Sequence, residues 1–251
     1  MRGHRKAVGV SLAAGLAWAV VLAAGPAAGG EKKNPAATPS PRIGKGKQPD
    51  AGWMKRHEGF VKIAKGGDVD VLFLGNSITD GWRNQKAWKK YFAPLKAANF
   101  GIGGDRTEHV LWRISNGELE GIKPKVAVLM IGTNNTGSNS AEQIAAGIKA
   151  IVHKIEELSP DTKILLLGVF PRGPEPNTKV REKISRINQD IAKLDDGKRV
   201  KYMDIGAKFT KDDGKLTKDV MPDYLHLSPR GYEIWAEAIA PTVRELLGKK
   251  E

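Results

Sequence analysis

The 251-residue chain carries 41 lysines and arginines against 28 aspartates and glutamates, and it has no cysteine. Without a thiol it has neither a disulfide nor a thiolate metal site, so an exported life rests on the hydrophobic core alone. The formal charge of +13 overstates the basicity of the working part: residues 1–30 contribute +3 and residues 31–50 another +3, leaving +7 beyond them.

Residues 1–30 open with Arg2, Arg5 and Lys6, run apolar from Ala7 to about Gly25, and finish in small residues. That order is the order of a secretory signal peptide, and periplasmic or extracellular export is the expectation. The apolar run is also near the length that crosses a bilayer, so a retained membrane anchor is the alternative. Residues 31–50, rich in Lys, Pro and Gly, show no periodic apolar pattern and read as a flexible linker. Trp53 is placed to pack that linker on the domain, 51–251, which is long enough for one buried core.

Apolar runs at 69–75, 98–101, 125–132, 163–170 and 200–204 alternate with amphipathic stretches at 85–96, 107–114, 141–158, 179–194 and 229–247. The alternation predicts a three-layer α/β/α sandwich around a central five-stranded parallel sheet. Ser140 and the Ser228-Pro229 pair supply N-caps for the third and fifth helices. The cations are scattered along these amphipathic stretches, with no basic block interleaved by aromatics. That argues for a solvated surface and against a nucleic-acid partner, while leaving a mild attraction to anionic surfaces or polysaccharides.

In such a sheet, ligands bind beyond the carboxyl ends of the strands. Ser77 follows the first run in Gly75-Asn76-Ser77, where a sharp turn can expose its hydroxyl. A serine needs a base within hydrogen-bond reach, and the base needs an orienting acid. His4 lies in the leader, His57 precedes the sheet, and His109 and His153 fall in helices; only His226 occupies a loop just before the last helix. Asp223 lies three residues earlier in the same loop. A tetrahedral intermediate also needs waiting donors. The backbone N–H groups of Ser77 and Gly104 and the amide of Asn134 come from three successive strand ends. Gly103 and Gly104 suit either close approach to substrate or an ordinary tight turn.

Gly75-Asn76-Ser77, Gly101-Ile102-Gly103-Gly104, Gly132-Thr133-Asn134-Asn135 and Asp223-x-x-His226 resemble the ordered blocks of the SGNH (GDSL-like) hydrolases. Within that family, the stretch 99–105, His109-Val110-Leu111-Trp112-Arg113, 116–120, 122–126 and Pro171-Arg172-Gly173 are similar to the catalytic subunits of intracellular platelet-activating-factor acetylhydrolase. The similarity spans about residues 55–247. It implies an SGNH/flavodoxin-like fold, Ser77 as nucleophile, His226 as base and Asp223 as its acid. It also implies an oxyanion hole from Ser77, Gly104 and Asn134, and neither metal nor organic cofactor. The subgroup implies a short acyl group, acetyl above all, and homodimers. With export, the natural substrate becomes acetylated carbohydrate or acetyl phospholipid.

One position departs from the family: the common motif has Asp where this chain has Asn76. Asn keeps an acceptor oxygen but adds donors and loses a charge. That departure opens the alternative of a non-catalytic polysaccharide-binding module on the same fold. Nucleotide binding through 101–104 fails on spacing, because Arg106 stands where a dinucleotide fingerprint needs glycine. Arg172 reads either as a contact for an anionic substrate or as a surface salt bridge. Asp204 either shapes the site or caps a turn, and Trp82, Trp88, Trp112 and Trp235 read as packing residues.

Overall fold

A computed structural model describes Met1 and residues 33–249 of the chain. The expected leader over 1–30 lies, Met1 apart, outside the described residues. Residues 33–251 form one compact unit.

The elements in chain order are α1 (Ala51–Lys65), β1 (Val71–Gly75), α2 (Ser77–Asp80), α3 (Lys86–Tyr91), β2 (Ala97–Gly101), α4 (Thr107–Arg113), β3 (Val126–Met130), α5 (Ala141–Leu158), β4 (Lys163–Leu167), α6 (Lys179–Ala192), β5 (Val200–Met203) and α7 (Pro229–Leu246). The five strands are all parallel in the order β2-β1-β3-β4-β5. Because helices cover both faces, β1 and β3 are apolar at every position, and β4 is apolar after Lys163. Leu72 and Leu74 of β1 face a core made with α1, α4, α5 and α6, while Val71 and Phe73 face a second core made with Trp82, Phe92 and α7. The chain leaves β1 toward β2 on one side and later returns to place β3 on the other. The crevice beyond the carboxyl ends of β1 and β3 is therefore where the strand order reverses.

All five strands and five helices expected from periodicity are present; most are shorter than expected, while α5 matches at both ends and β2 begins one residue earlier. The helix expected over 85–96 stops at Tyr91 and gives way to a 3-10 turn at Ala93–Leu95. Pro94 explains the stop, since it lacks an N–H and disfavours helical backbone in the residue before it. Ser140 and Ser228 cap α5 and α7 as expected.

Helix α1 was not among the expected elements. Its inner face is Trp53, His57, Phe60 and Ala64, spaced by three and four residues, and Asp50 caps it by accepting the Trp53 N–H at 2.7 Å. The expectation of a flexible linker over 31–50 fails from residue 33 onward. Ala36 is fully buried, its carbonyl accepts the Thr107 hydroxyl at 2.7 Å, and Asn34 donates to the Gln143 carbonyl at 3.1 Å. The segment lacks apolar periodicity because it binds through backbone and polar groups, and pattern reading does not register such contacts. No helix among the described residues is long and apolar enough to cross a membrane.

Candidate active site

Strand β1 runs directly into α2, and Gly75 makes the junction possible: a Cβ there would stand 2.1 Å from Thr79 Oγ1 and 2.5 Å from the Met130 carbonyl oxygen. Asn76 caps α2 by accepting the Ile78 N–H at 2.9 Å, which sets Ser77 as the first helical residue. Among the described residues, the buried Asn76 side-chain nitrogen meets no hydrogen-bond partner.

Ser77 Oγ lies 2.9 Å from His226 Nε2, and His226 Nδ1 lies 2.6 Å from Asp223 Oδ2. With the carboxylate accepting from Nδ1–H, Nε2 is left to accept the serine proton; this tautomer follows from the hydrogen-bond partners. Asp223 Oδ1 accepts the N–H groups of Leu225 at 3.0 Å and His226 at 2.7 Å, so one carboxylate orients the ring and folds the loop. Burial pushes the Asp223 carboxyl up, but the donors from His226 and Leu225 outweigh it and hold it at about 2. Tyr224 takes a left-handed φ of 57° between them. The side chains of His226 and Asp223 are 45% and 55% exposed, so the pair stands on an open rim. Tyr232, in the first turns of α7, donates to the Ile78 carbonyl at 2.7 Å and ties the helix after the histidine to the helix that begins with the serine.

The loop after β2 approaches Ser77 from the other side. A Cβ on Gly103 would meet the Ser77 Cβ at 3.8 Å, and Gly104 has φ +79°, a conformation that favours glycine. Among the described residues no protein oxygen accepts the Gly104 N–H. Asn134, in a 3-10 turn after β3, donates through its amide to the Asp105 carbonyl at 2.9 Å. The second amide hydrogen remains for a ligand. Gly104 and Asn134 are thus brought to one loop beside Ser77.

Behind that loop lies a charged network that the sequence reading missed. Asp105 is fully buried and accepts from Trp53 Nε1 at 2.7 Å, Arg113 Nε at 2.9 Å and Arg42 Nη2 at 3.0 Å. Burial pushes the Asp105 carboxyl up, while Arg113, Trp53 and Arg42 pull it down. Arg113, buried completely, also bonds Glu118, which in turn meets His57 Nδ1 at 3.0 Å. The only local sign of this network was an aspartate directly after the Gly-Gly pair.

Arg172 is not in a salt bridge among the described residues; its Nη1 reaches only the Thr133 carbonyl and hydroxyl, each at 3.4 Å. Asp204 caps the turn after β5, accepting from Gly206 N at 2.8 Å, and also accepts from Asn188 at 3.0 Å. It lines a cavity of about 480 Å³ with Val169, Ile184 and Tyr202 that does not reach Ser77 or His226. Trp82, Trp88 and Trp235 pack in the core shared with α7, and Trp53 and Trp112 pack together, their ring centroids 5.3 Å apart.

A profile of the GDSL-like Lipase/Acylhydrolase family matches residues 73–234, which take in every candidate catalytic residue. The chain belongs to that family. Platelet-activating factor acetylhydrolase IB subunit alpha1 of Rattus norvegicus is 41% identical to this GDSL-like hydrolase over 223 residues, spanning 88% of this chain and 94% of the relative. The alpha2 subunit from the same species is 43% identical over 215 residues, spanning 85% and 92%. Among solved structures, a GDSL-like lipase from Bacteroides thetaiotaomicron superposes with TM-score 0.64 at 18% identity, covering 75% of this chain and 97% of the other. An acetylxylan esterase from Geobacillus stearothermophilus does so with TM-score 0.57 at 17% identity, covering 73% and 96%. Those two likenesses establish the fold. Family and relatives together make this GDSL-like protein a carboxylic ester hydrolase, which removes the reading of a non-catalytic binding module.

Proposed function

We propose that this hydrolase is an exported acetylesterase working through Ser77, His226 and Asp223. The observation that carries the reading is the unbroken chain from Ser77 Oγ to His226 Nε2 at 2.9 Å and from His226 Nδ1 to Asp223 Oδ2 at 2.6 Å. Ser77 Oγ attacks the ester carbonyl carbon as its proton passes to His226 Nε2, and Asp223 stabilises the imidazolium. The carbonyl oxygen becomes an oxyanion facing the N–H groups of Ser77 and Gly104 and the Asn134 amide. Each such donor is worth about 3–4 kcal/mol of barrier. The intermediate collapses as His226 returns the proton to the departing alcohol. Water then attacks the acyl-serine, giving its proton to His226, and the acid leaves as Ser77 recovers the proton.

The acyl preference rests on the relatives, which are named acetylhydrolases at 41–43% identity. Export rests on the residue order of 1–30, and it favours acetylated carbohydrate or acetyl phospholipid as substrate. The test compares hydrolysis of p-nitrophenyl acetate and octanoate, then of acetylated sugars, xylan fragments and acetyl phospholipids, by wild type and Ser77→Ala. Acetyl esters are expected to turn over faster than octanoyl esters, with Ser77→Ala slower by at least about 10³-fold. A wild-type rate from folded Ser77→Ala would remove Ser77 from the mechanism, and a preference for octanoyl would remove the acetyl assignment.

A further inference from the structure

We propose that Arg42, on the segment preceding α1, is a positioning residue for the oxyanion donor of Gly104. The inference rests on the reading of Gly104 as part of the oxyanion hole. Arg42 Nη2 donates to the Gly103 carbonyl at 2.6 Å and to Asp105 Oδ1 at 3.0 Å. The Gly103 carbonyl and the Gly104 N–H belong to one peptide unit. A cation on the oxygen side of that amide draws electron density toward it and makes its N–H a stronger donor on the side facing substrate. It also fixes the tilt of a peptide that two glycines would otherwise leave free to rotate.

The surroundings make this contact a support. A Cβ on Gly104 would come within 3.1 Å of Arg42 Nη2, so the guanidinium fills the space beneath the loop. Its second anchor, Asp105, is held by Arg113 and Trp53, and the Asp105 backbone carbonyl receives the Asn134 amide. One guanidinium therefore steadies the peptide that supplies the Gly104 donor and the residue that orients the Asn134 donor.

Arg42 is itself fixed by backbone. Its carbonyl accepts the Asp50 N–H at 2.8 Å, Gly44 N donates to the Gln48 carbonyl at 2.8 Å, and Ser40 N donates to the Glu108 carbonyl at 3.2 Å. A lysine at 42 could reach both acceptors from its one ammonium, as Nη2 alone does here, but its shorter stem and stronger hydration make it a poorer stand-in for the guanidinium. Residues 33–50 thus act as a strap that reaches the chemistry through one side chain.

The experiment uses Arg42→Ala and Arg42→Lys in the full chain, with p-nitrophenyl acetate kinetics and thermal melting. Arg42→Ala is expected to lower kcat about 10- to 100-fold with KM within about twofold, because the donor matters more to the transition state than to bound ester. Arg42→Lys should fall between the two. Added guanidinium ion should restore part of the rate to Arg42→Ala and none to Ser77→Ala, a response that lost stability alone does not produce. A kcat for Arg42→Ala within about twofold of wild type, a loss carried by KM, or no response to guanidinium would each overturn the proposal. Should Arg42→Ala fail to fold, the kcat and KM of Arg42→Lys decide in the same way. A dead Ser77→Ala beside an unaffected Arg42→Ala would remove the strap and leave the site reading intact, whereas an active Ser77→Ala would strike at the site itself.

Discussion

Asp223 performs several tasks with one carboxylate, and an amide could not reproduce them. One oxygen takes two backbone N–H groups and the other takes the imidazole. Asp223→Asn is expected to lower kcat about 10²- to 10⁴-fold, through the wrong tautomer and the lost charge, as read by steady-state kinetics. Because its carboxyl is held at about 2, Asp223 stays ionised through the working pH range. A depressed carboxyl stabilises the fold above its ordinary value near 4, and that contribution fades as pH falls toward 2. The side chain is more than half exposed, so solvent screening keeps the contribution small. Beside the nucleophile, Asn76→Ala removes the cap of α2 and is expected to cost about 0.5–2 kcal/mol in urea unfolding. An unchanged midpoint would show that the cap contributes nothing. Ser77, His226 and Asp223 were legible as candidates because each depends on local order: a glycine turn after a strand, or two polar residues in one loop. Arg42 and Asp105 were not, since they meet across 63 residues and neither segment advertises the other.

Helix α4 shows how an element can carry a pH response. The His109 Nδ1 accepts the Arg106 N–H at 3.2 Å, a bond that requires the neutral ring. Burial lowers its pKa to about 4, aided by Arg42, Arg106 and Arg113 and opposed by Glu108, so the 3.7 Å approach to Asp105 is not an ion pair at neutral pH. The unfolded chain takes that proton below about 6.5, and the native state refuses it until about 4. Stability is therefore complete above the upper value and declines as pH falls through the window. In His109→Gln the difference between urea midpoints at pH 7 and pH 5 should shrink; an identical difference would contradict this. The same scale shows why α1 escaped the sequence reading. Its apolar face of Trp53, His57, Phe60 and Ala64 includes a histidine that pattern matching counts as polar, although it is buried against Glu118. The central strands were readable because, with helices on both faces, their apolar residues run almost without interruption, whereas the edge strands β2 and β5 carry Asn99 and Lys201.

Across the whole molecule, two cores sandwich the sheet, and the segment from residue 33 belongs to the same compact unit as the strands. A chain lacking residues 1–32 is expected to keep both melting temperature and kcat. One lacking residues 1–50 should lose both, because Thr107, Asp105 and Gly103 lose partners supplied by Ala36 and Arg42. Equal melting curves for the two truncations would refute this. The buried charges act at the same scale: Arg113→Met would leave Asp105 and Glu118 short of their shared cation and should cost about 3–5 kcal/mol in denaturant unfolding. The exposed rim formed by His226 and Asp223 bears on selectivity. With the base facing solvent, the leaving alcohol is released outward, and discrimination is expected to fall on the half of the ester retained by the serine. Esters sharing an acyl group and an equally good leaving group should then show similar kcat/KM, whether the alcohol is a monosaccharide or the side branch of an insoluble polymer.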